Sequence, residues 1–171
     1  MNKNVLLTLG AVISAILLLI AGAGIITTNP ITTSYAQTLG APFFEEKGKI
    51  TSQKEIGDNR TEISFSANGT MRGNINVTNT GTFLSISKGD NVTYAQGQGV
   101  IMTRDGSDEK ANHTFQFIGN ITQEGKPVFY GSAIYNTNST GKIAFLDNLM
   151  GVYKGEIDEI GNIVNREWQW K

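Results

Sequence analysis

Residues 129–159 read FYGSAIYNTNSTGKIAFLDNLMGVYKGEIDE and hold the longest apolar run after the N-terminus, Ile143–Tyr153. A polar turn precedes this run and an acidic turn follows it. Apolar runs bounded by turn residues are typical of buried β-strands. The stretch therefore predicts two long strands, 127–137 and 142–157, as the densest part of a β core.

The chain before and after this stretch shows short alternating runs separated by Gly, Asn and Asp, with no sustained helical periodicity from Lys49 onward. The other predicted strands lie at 49–56, 60–67, 70–78, 82–87, 92–104, 110–121 and 162–170. Sequential strands with short connections predict an all-β domain, an antiparallel up-and-down β-barrel of about eight strands, because closure removes exposed sheet edges. A β-sandwich is the alternative.

Two local features refine this prediction. Asn68-Gly69 is a two-residue hairpin signal between strands 60–67 and 70–78, because both residues tolerate positive φ. The strand at 142–157 is long, and we expect it to bend or bulge near Asp147–Gly151.

The N-terminus has the pattern of an export signal. Residues 5–26 are apolar and uncharged, and Ser34-Tyr35-Ala36 places small residues at the cleavage positions before Gln37. The apolar run is also long enough to span a bilayer as a helix. Residues 1–36 are therefore a cleaved signal peptide, which we favour, or an uncleaved membrane anchor. Either way we expect the protein to be secreted or anchored outside the cytoplasm.

The segment 37–48 is predicted to be a linker that leads into a barrel domain at 49–171. Its paired rings, Phe43-Phe44, either close one end of the domain or remain partly exposed on a tether.

Charge and cysteine content exclude several functional classes. From Gln37 onward there are 13 Lys and Arg against 15 Asp and Glu, which argues against nucleic-acid binding. The chain has no cysteine, so disulfides, thiolate metal sites and cysteine nucleophiles are excluded. No residue spacing indicates a cofactor or a metal, and none is expected.

Sequons for N-glycosylation are more frequent than composition explains. The 13 Asn and the 21 Ser or Thr among the 135 residues from Gln37 onward give about two by chance, whereas seven occur. The candidate acceptors are Asn59, Asn68, Asn76, Asn91, Asn112, Asn120 and Asn138. Common Asn and Thr in turn-rich β proteins explain part of the excess, and we expect several sites to carry glycans in a host with the machinery.

Glycans must point outward, so strand alternation then assigns the opposite face to the interior. In the predicted strand 110–121, Asn112 and Asn120 lie on the same face, so the residues at odd-numbered positions face inward. The residues predicted to face inward are Ile63, Phe65, Ala67, Met71, Gly73, Ile75, Val77, Ala111, His113, Phe115, Phe117 and Ile121.

The candidate ligand-binding residues are His113, Phe115, Phe117, Arg166, Trp168 and Trp170. His113 is the only histidine and is the one inward group of the set that titrates near neutral pH. In the last strand, alternation places Arg166 and both tryptophans on one face, which we assign to the interior, with Arg166 as an anion anchor. Core packing of the two tryptophans, with Arg166 stacked on them or paired with an acid, is the interpretation we favour over a ligand role, and no catalytic residue can be assigned.

Three blocks of sequence resemble an uncharacterised group of small exported archaeal β-barrel proteins. They are GQGVIMTRDG at 97–106, the NSTGKIAFLDN and GVYKGEIDEIGN runs within 138–162, and the closing EWQWK, together with the SYAQ junction at 34–37. The resemblance implies an exported barrel and carries no functional residue. The layout is more loosely similar to calycin-like, allene-oxide-cyclase-like or dirigent-like barrels, which bears on fold only.

Three functional hypotheses remain. The first is a non-enzymatic extracytoplasmic barrel that binds a small, mostly apolar ligand in its interior. The second is a packed cell-surface or envelope interaction protein without an internal ligand. The third is an isomerase-like or cyclase-like enzyme that uses His113 or Arg166, which we rank last. An interior of several hundred cubic ångströms would favour a ligand, and a filled one the interaction protein.

Overall fold

A computed structural model of the chain describes residues 39–89, 91–122 and 125–170. The predicted signal or anchor at 1–36 lies outside these residues. The described strands are β1 (Phe44–Gly57), β2 (Arg60–Met71), β3 (Ile75–Ser87), β4 (Val92–Thr103), β5 (Lys110–Ile121), β6 (Pro127–Asn136), β7 (Met150–Ile157) and β8 (Asn162–Gln169).

These eight strands close into a barrel in sequence order, and every neighbouring pair is antiparallel. The last strand returns to the first, with Glu46 opposite Asn165 and Phe44 opposite Glu167. The up-and-down barrel prediction is therefore confirmed, and the sandwich alternative is wrong. No helix in the described part of the chain is long and apolar enough to cross a membrane.

Glycines on the inner wall make room for the rings that fill the barrel. A Cβ on Gly97 would lie 2.5 Å from Phe83 Cβ and 2.7 Å from Phe115 Cζ, and a Cβ on Gly131 would lie 2.6 Å from the Tyr153 hydroxyl. Each ring thus lies over the backbone of a neighbouring strand. Because a side chain at either glycine would displace rings in a close-packed core, these positions require glycine.

The turn between β2 and β3 is not where the sequence predicted it. Asn68 and Gly69 lie within β2, opposite Thr78 and Val77, and the chain reverses at 72–74 with Gly73 at φ +77°. The pairing of β2 with β3 continues past Asn68-Gly69, because a turn at 72–74 allows twelve consecutive residue pairs between the two strands. Residues 75–78 of the predicted strand 70–78 and the whole predicted strand 82–87 belong to one strand, β3, while residues 70–71 belong to β2.

The predicted facing of the early strands is largely confirmed. The inward residues of β2, β3 and β5 are buried or half-buried, whereas Gly73 lies in the exposed turn instead of the interior. All seven sequon asparagines are exposed, as expected for glycan acceptors.

The predicted long strand at 142–157 is wrong in its first half. A 3₁₀ helix occupies Ala144–Leu146, and β7 begins only at Met150. The segment 137–149, which we call the capping segment, inserts Ile143, Leu146 and Leu149 into one end of the barrel at 0%, 0% and 5% exposure. The apolar run in 143–149 therefore predicted correctly that these side chains are buried, but it predicted the wrong backbone conformation.

Glu109, in the loop before β5, holds the capping segment in place. Its carboxylate accepts hydrogen bonds from the Ser139 hydroxyl and from the backbone N–H groups of Lys142 and Ile143 at 3.0 and 3.1 Å. Lys142 in turn forms an ion pair with Asp105.

The paired phenylalanines complete the closure of this end. Phe44 is 1% exposed and begins β1, five residues earlier than predicted, so the expected linker 37–48 includes barrel residues. Phe43 packs edge-on against Tyr135 and Phe145 at 6.1 and 6.2 Å between ring centroids. The interpretation of these rings as an end closure is confirmed.

The opposite end of the barrel, which carries the β1–β2, β3–β4, β5–β6 and β7–β8 connections, is less tightly closed. Its inward residues Ile50, Ile121 and Ile157 are only half-buried, in contrast to the fully buried capping segment.

Candidate functional site

The barrel interior contains polar side chains on five strands and not only apolar ones. They are Glu46, Asn79, His113, Tyr135, Asn165 and Glu167, and each is at most 8% exposed. Burying a polar group without a partner costs free energy, so each such group calls for an account of its hydrogen bonds.

Four of these groups form one hydrogen-bonded chain across the interior. His113 Nε2 lies 2.9 Å from Asn79 Oδ1, and Asn79 Nδ2 donates to Glu46 Oε2 at 2.9 Å. Asn165 Nδ2 donates to the other oxygen, Glu46 Oε1, at 3.2 Å. The Glu46 carboxylate is thus held between two amides from strands on either side of β1 and β2.

A second polar group lies beside this chain. The Tyr135 hydroxyl donates to Glu167 Oε2 at 2.6 Å, and the Tyr135 ring stacks on His113 with 5.3 Å between centroids. The neighbouring Tyr153 hydroxyl donates to the Gln116 carbonyl at 3.1 Å.

Three buried polar atoms of these groups have no hydrogen-bond partner among the described residues. They are His113 Nδ1, Asn165 Oδ1 and Glu167 Oε1. All three side chains line the same interior cavity of about 60 Å³. The rest of its wall is mainly aromatic, including Phe65, Phe83, Phe115, Phe117 and Phe129.

Burial shifts the pKa values of the titratable groups in this cavity. Desolvation lowers the pKa of His113 to about 4, so the ring is neutral at pH 7. Desolvation, assisted by the charge of Glu46 and opposed by the Tyr135 hydrogen bond, raises the pKa of Glu167 to about 8. Glu167 is therefore mainly protonated at pH 7. Burial also raises the pKa of Glu46, although its two amide donors oppose that shift.

Half of the candidate ligand residues lie where the sequence placed them. His113, Phe115 and Phe117 face inward and line the cavity, and Phe115 stacks on His113 with 5.5 Å between ring centroids. Their role in binding stays a prediction.

The other three candidates correct the prediction for β8, whose faces were assigned the wrong way round. Arg166 is exposed and pairs with Glu45 at 3.0 Å on the outer surface, and Trp170 is 57% exposed. Trp168 is buried, but on the outer side, where its Nε1 donates to the Gly40 carbonyl at 2.9 Å. An interior anion anchor at Arg166 is thus ruled out.

The sequence reasoning missed most of the polar interior. Glu46 fell in the predicted linker and Asn79 fell between two predicted strands, while Asn165 and Glu167 were placed on the outer face because the two tryptophans were assigned to the inner one. If the sequence had shown that β1 begins at Phe44 and that β3 runs without a break through Asn79, side-chain alternation would have placed Glu46 and Asn79 on the inner face.

Comparison with known proteins supports the fold and leaves the function open. No protein-family model and no curated protein matches the chain. A protein with unknown function from Clostridium acetobutylicum is similar in structure, with a TM-score of 0.63, 16% identity, and coverage of 76% of this chain and 97% of that one. The conserved protein of unknown function RPA1785 from Rhodopseudomonas palustris is also similar, with a TM-score of 0.61, 12% identity, and coverage of 75% and 94%.

These likenesses place the chain among eight-stranded barrels of unknown function. At such identities they speak to the fold alone. Membership of an exported archaeal group stays a prediction.

Proposed function

We propose that this protein is an extracytoplasmic binding barrel that holds one small molecule in its interior. The observation that carries the proposal is that three side chains, each with an unpartnered buried polar atom, line a single cavity with an aromatic wall. Leaving a buried polar atom unpaired costs about 1–3 kcal/mol, so a molecule that bonds these atoms recovers that free energy on binding.

The cavity size sets the scale of the ligand. About 60 Å³ is far below the several hundred cubic ångströms that would favour the mostly apolar ligand expected from the sequence, so cavity volume alone favours the packed interaction protein, and the proposal rests on the unpartnered polar atoms. Because one water needs roughly 10–15 Å³ in this measure, the cavity of about 60 Å³ suits a compact molecule of about four to six non-hydrogen atoms. The ligand we propose is therefore smaller and more polar at one end than the mostly apolar molecule expected from the sequence.

The extracytoplasmic location in this proposal is supported by the signal-like residues 1–36 and by the exposure of all seven sequon asparagines. An enzyme that uses Arg166 inside the barrel has no support, since that side chain lies on the outer surface.

A packed envelope protein remains the second candidate, supported by apolar side chains on the outer wall. Ile118 pairs with Tyr130 across β5 and β6, and Ile134 pairs with Met150 across β6 and β7. These four are 41–57% exposed, which is a surface that a protein partner would cover.

Native mass spectrometry of the protein purified from its own host tests the proposal. We expect a mass that begins at Gln37, with any glycans, and a reproducible small adduct that is lost on unfolding. Ala133→Leu places a larger side chain in the cavity wall and should abolish the adduct, whereas Thr114→Leu on the exposed face should keep it. An adduct absent from the folded wild-type protein would favour the packed envelope protein instead.

A further inference from the structure

Glu46 determines how the two asparagines beside it are oriented. Each Glu46 oxygen receives an amide nitrogen, from Asn79 at 2.9 Å and from Asn165 at 3.2 Å. In each asparagine it is the NH₂ group that turns toward Glu46 and donates to it. Their carbonyl oxygens therefore point away from Glu46.

This orientation also determines the tautomer of His113. Asn79 Oδ1 can only accept a hydrogen bond, so the proton of the neutral imidazole must be on Nε2, which lies 2.9 Å away. His113 Nδ1 is then a bare acceptor, and burial, which lowers the pKa of the ring to about 4, keeps it so near neutral pH.

Two of the three unpartnered atoms in the cavity are consequently hydrogen-bond acceptors, His113 Nδ1 and Asn165 Oδ1. The third, Glu167 Oε1, belongs to the carboxyl group that burial keeps protonated, and it supplies the complementary O–H donor. The titratable groups that face it are Tyr135, which is bonded to its other oxygen, Glu46 and Tyr153.

We propose that the ligand of this cavity is an uncharged molecule that donates hydrogen bonds from hydroxyl or N–H groups to His113 Nδ1 and Asn165 Oδ1, and that the cavity rejects carboxylates. This inference rests on the proposed binding function. A buried ligand carboxylate would meet two hydrogen-bond acceptors and would lack the cationic partner that a buried charge requires. Small alcohols, amides and N–H heterocycles match both the polarity and the cavity volume.

The tautomer is the first test, and it needs no ligand. The chain has one histidine, so long-range ¹H–¹⁵N NMR of the wild-type protein at pH 7 reports on His113 alone. We expect the neutral Nε2–H form. An Nδ1–H tautomer or an imidazolium would overturn the inference, because Nδ1 would then be a donor.

The second test compares three probes of similar shape by the shift of the same ¹⁵N resonances. The probes are isobutanol, isobutyrate and isopentane. We expect isobutanol to bind about tenfold or more tightly than either of the others, since its hydroxyl donates to one of the two acceptors, preferentially Asn165 Oδ1, whereas isobutyrate and isopentane have no donor. Asn165→Leu should weaken isobutanol binding by about tenfold, while Asn112→Leu on the exposed face of β5 should leave it unchanged.

The outcomes separate this inference from the proposed function. If isobutyrate or isopentane binds as tightly as isobutanol, selection for donors is overturned and the binding function stands. If none of the three shifts the His113 resonances, both are overturned.

Discussion

Replacing Glu167 with glutamine should remove much of the loss of stability that we expect for the wild-type protein above neutral pH. Glutamine has the shape of the protonated acid, and its carbonyl oxygen still accepts from the Tyr135 hydroxyl, which donates to Glu167 at 2.6 Å in the wild type. The variant therefore keeps the packing and the hydrogen bond while it removes the ionisation.

The sign follows from the raised pKa. The carboxyl ionises near pH 4.5 in the unfolded chain and near pH 8 in the folded one, so between these values the folded state binds more protons. Stability from this group is fully present below pH 4.5 and is lost as pH rises through 8. At about 1.4 kcal/mol per pH unit, the loss between pH 6.5 and pH 8 is about 2 kcal/mol.

Urea unfolding measured at pH 6.5 and pH 8.5 checks this prediction. The wild-type midpoint should fall by about 1 M relative to that of Glu167→Gln over this interval. Glu156→Gln, on the exposed face of β7, is the control, and its profile should follow the wild type. Parallel curves for Glu167→Gln and wild type would refute the reasoning, because Glu167 would then ionise alike in the folded and unfolded states.

Three further predictions follow from the same structure. Gly99→Ala should destabilise the fold by about 1–3 kcal/mol in urea unfolding, because the added Cβ would lie 2.5 Å from His113 Nε2. Gly119→Ala is the control: its Cβ would have no atom nearer than 3.7 Å, so its stability should stay within about 1 kcal/mol of wild type. Trp168→Phe should lower the stability by about 1 kcal/mol, because the hydrogen bond from Trp168 to the Gly40 carbonyl is lost. The exposed Trp170 is then the sole tryptophan, and its fluorescence should be red-shifted and quenched by iodide. Blue-shifted emission would contradict the assignment of faces in β8. His113→Phe should gain about 3 kcal/mol of stability relative to wild type between pH 6.5 and pH 4. The reason is that the lowered pKa of His113 makes the wild type lose stability as pH falls through this range. A stability difference that does not change with pH would contradict the prediction.

The barrel and its strand order could be predicted from the sequence because alternation and turn residues act locally. In β5, two independent signals agreed: the sequons at Asn112 and Asn120 mark one face, and the aromatic residues mark the other. The hairpin at Asn68-Gly69 failed because its local turn preference competes with a long ladder and with the ring of Phe44, whose Cε2 would lie 2.5 Å from a Cβ on Gly69.

The polar interior could not be predicted, for a different reason. Sequence rules assign large aromatic residues to the interior, and in β8 the assignment of Trp168 and Trp170 to the inner face turned Asn165 and Glu167 outward when they are buried. Departures of this kind are expected where function competes with stability. The errors in facing thus fell on the residues that now form the candidate site.

Because rings from neighbouring strands lie over the inner-wall glycines, the interior volume depends on those rings, whereas the shape of the barrel depends on the strand pairing. Phe129, for example, lies over Gly155, and its ring alone occupies the space above that stretch of backbone. Exchanging such a ring for a smaller side chain would enlarge the chamber while every strand keeps its register. Lineages that share this architecture can therefore change what they hold inside by single substitutions, with no redesign of the scaffold.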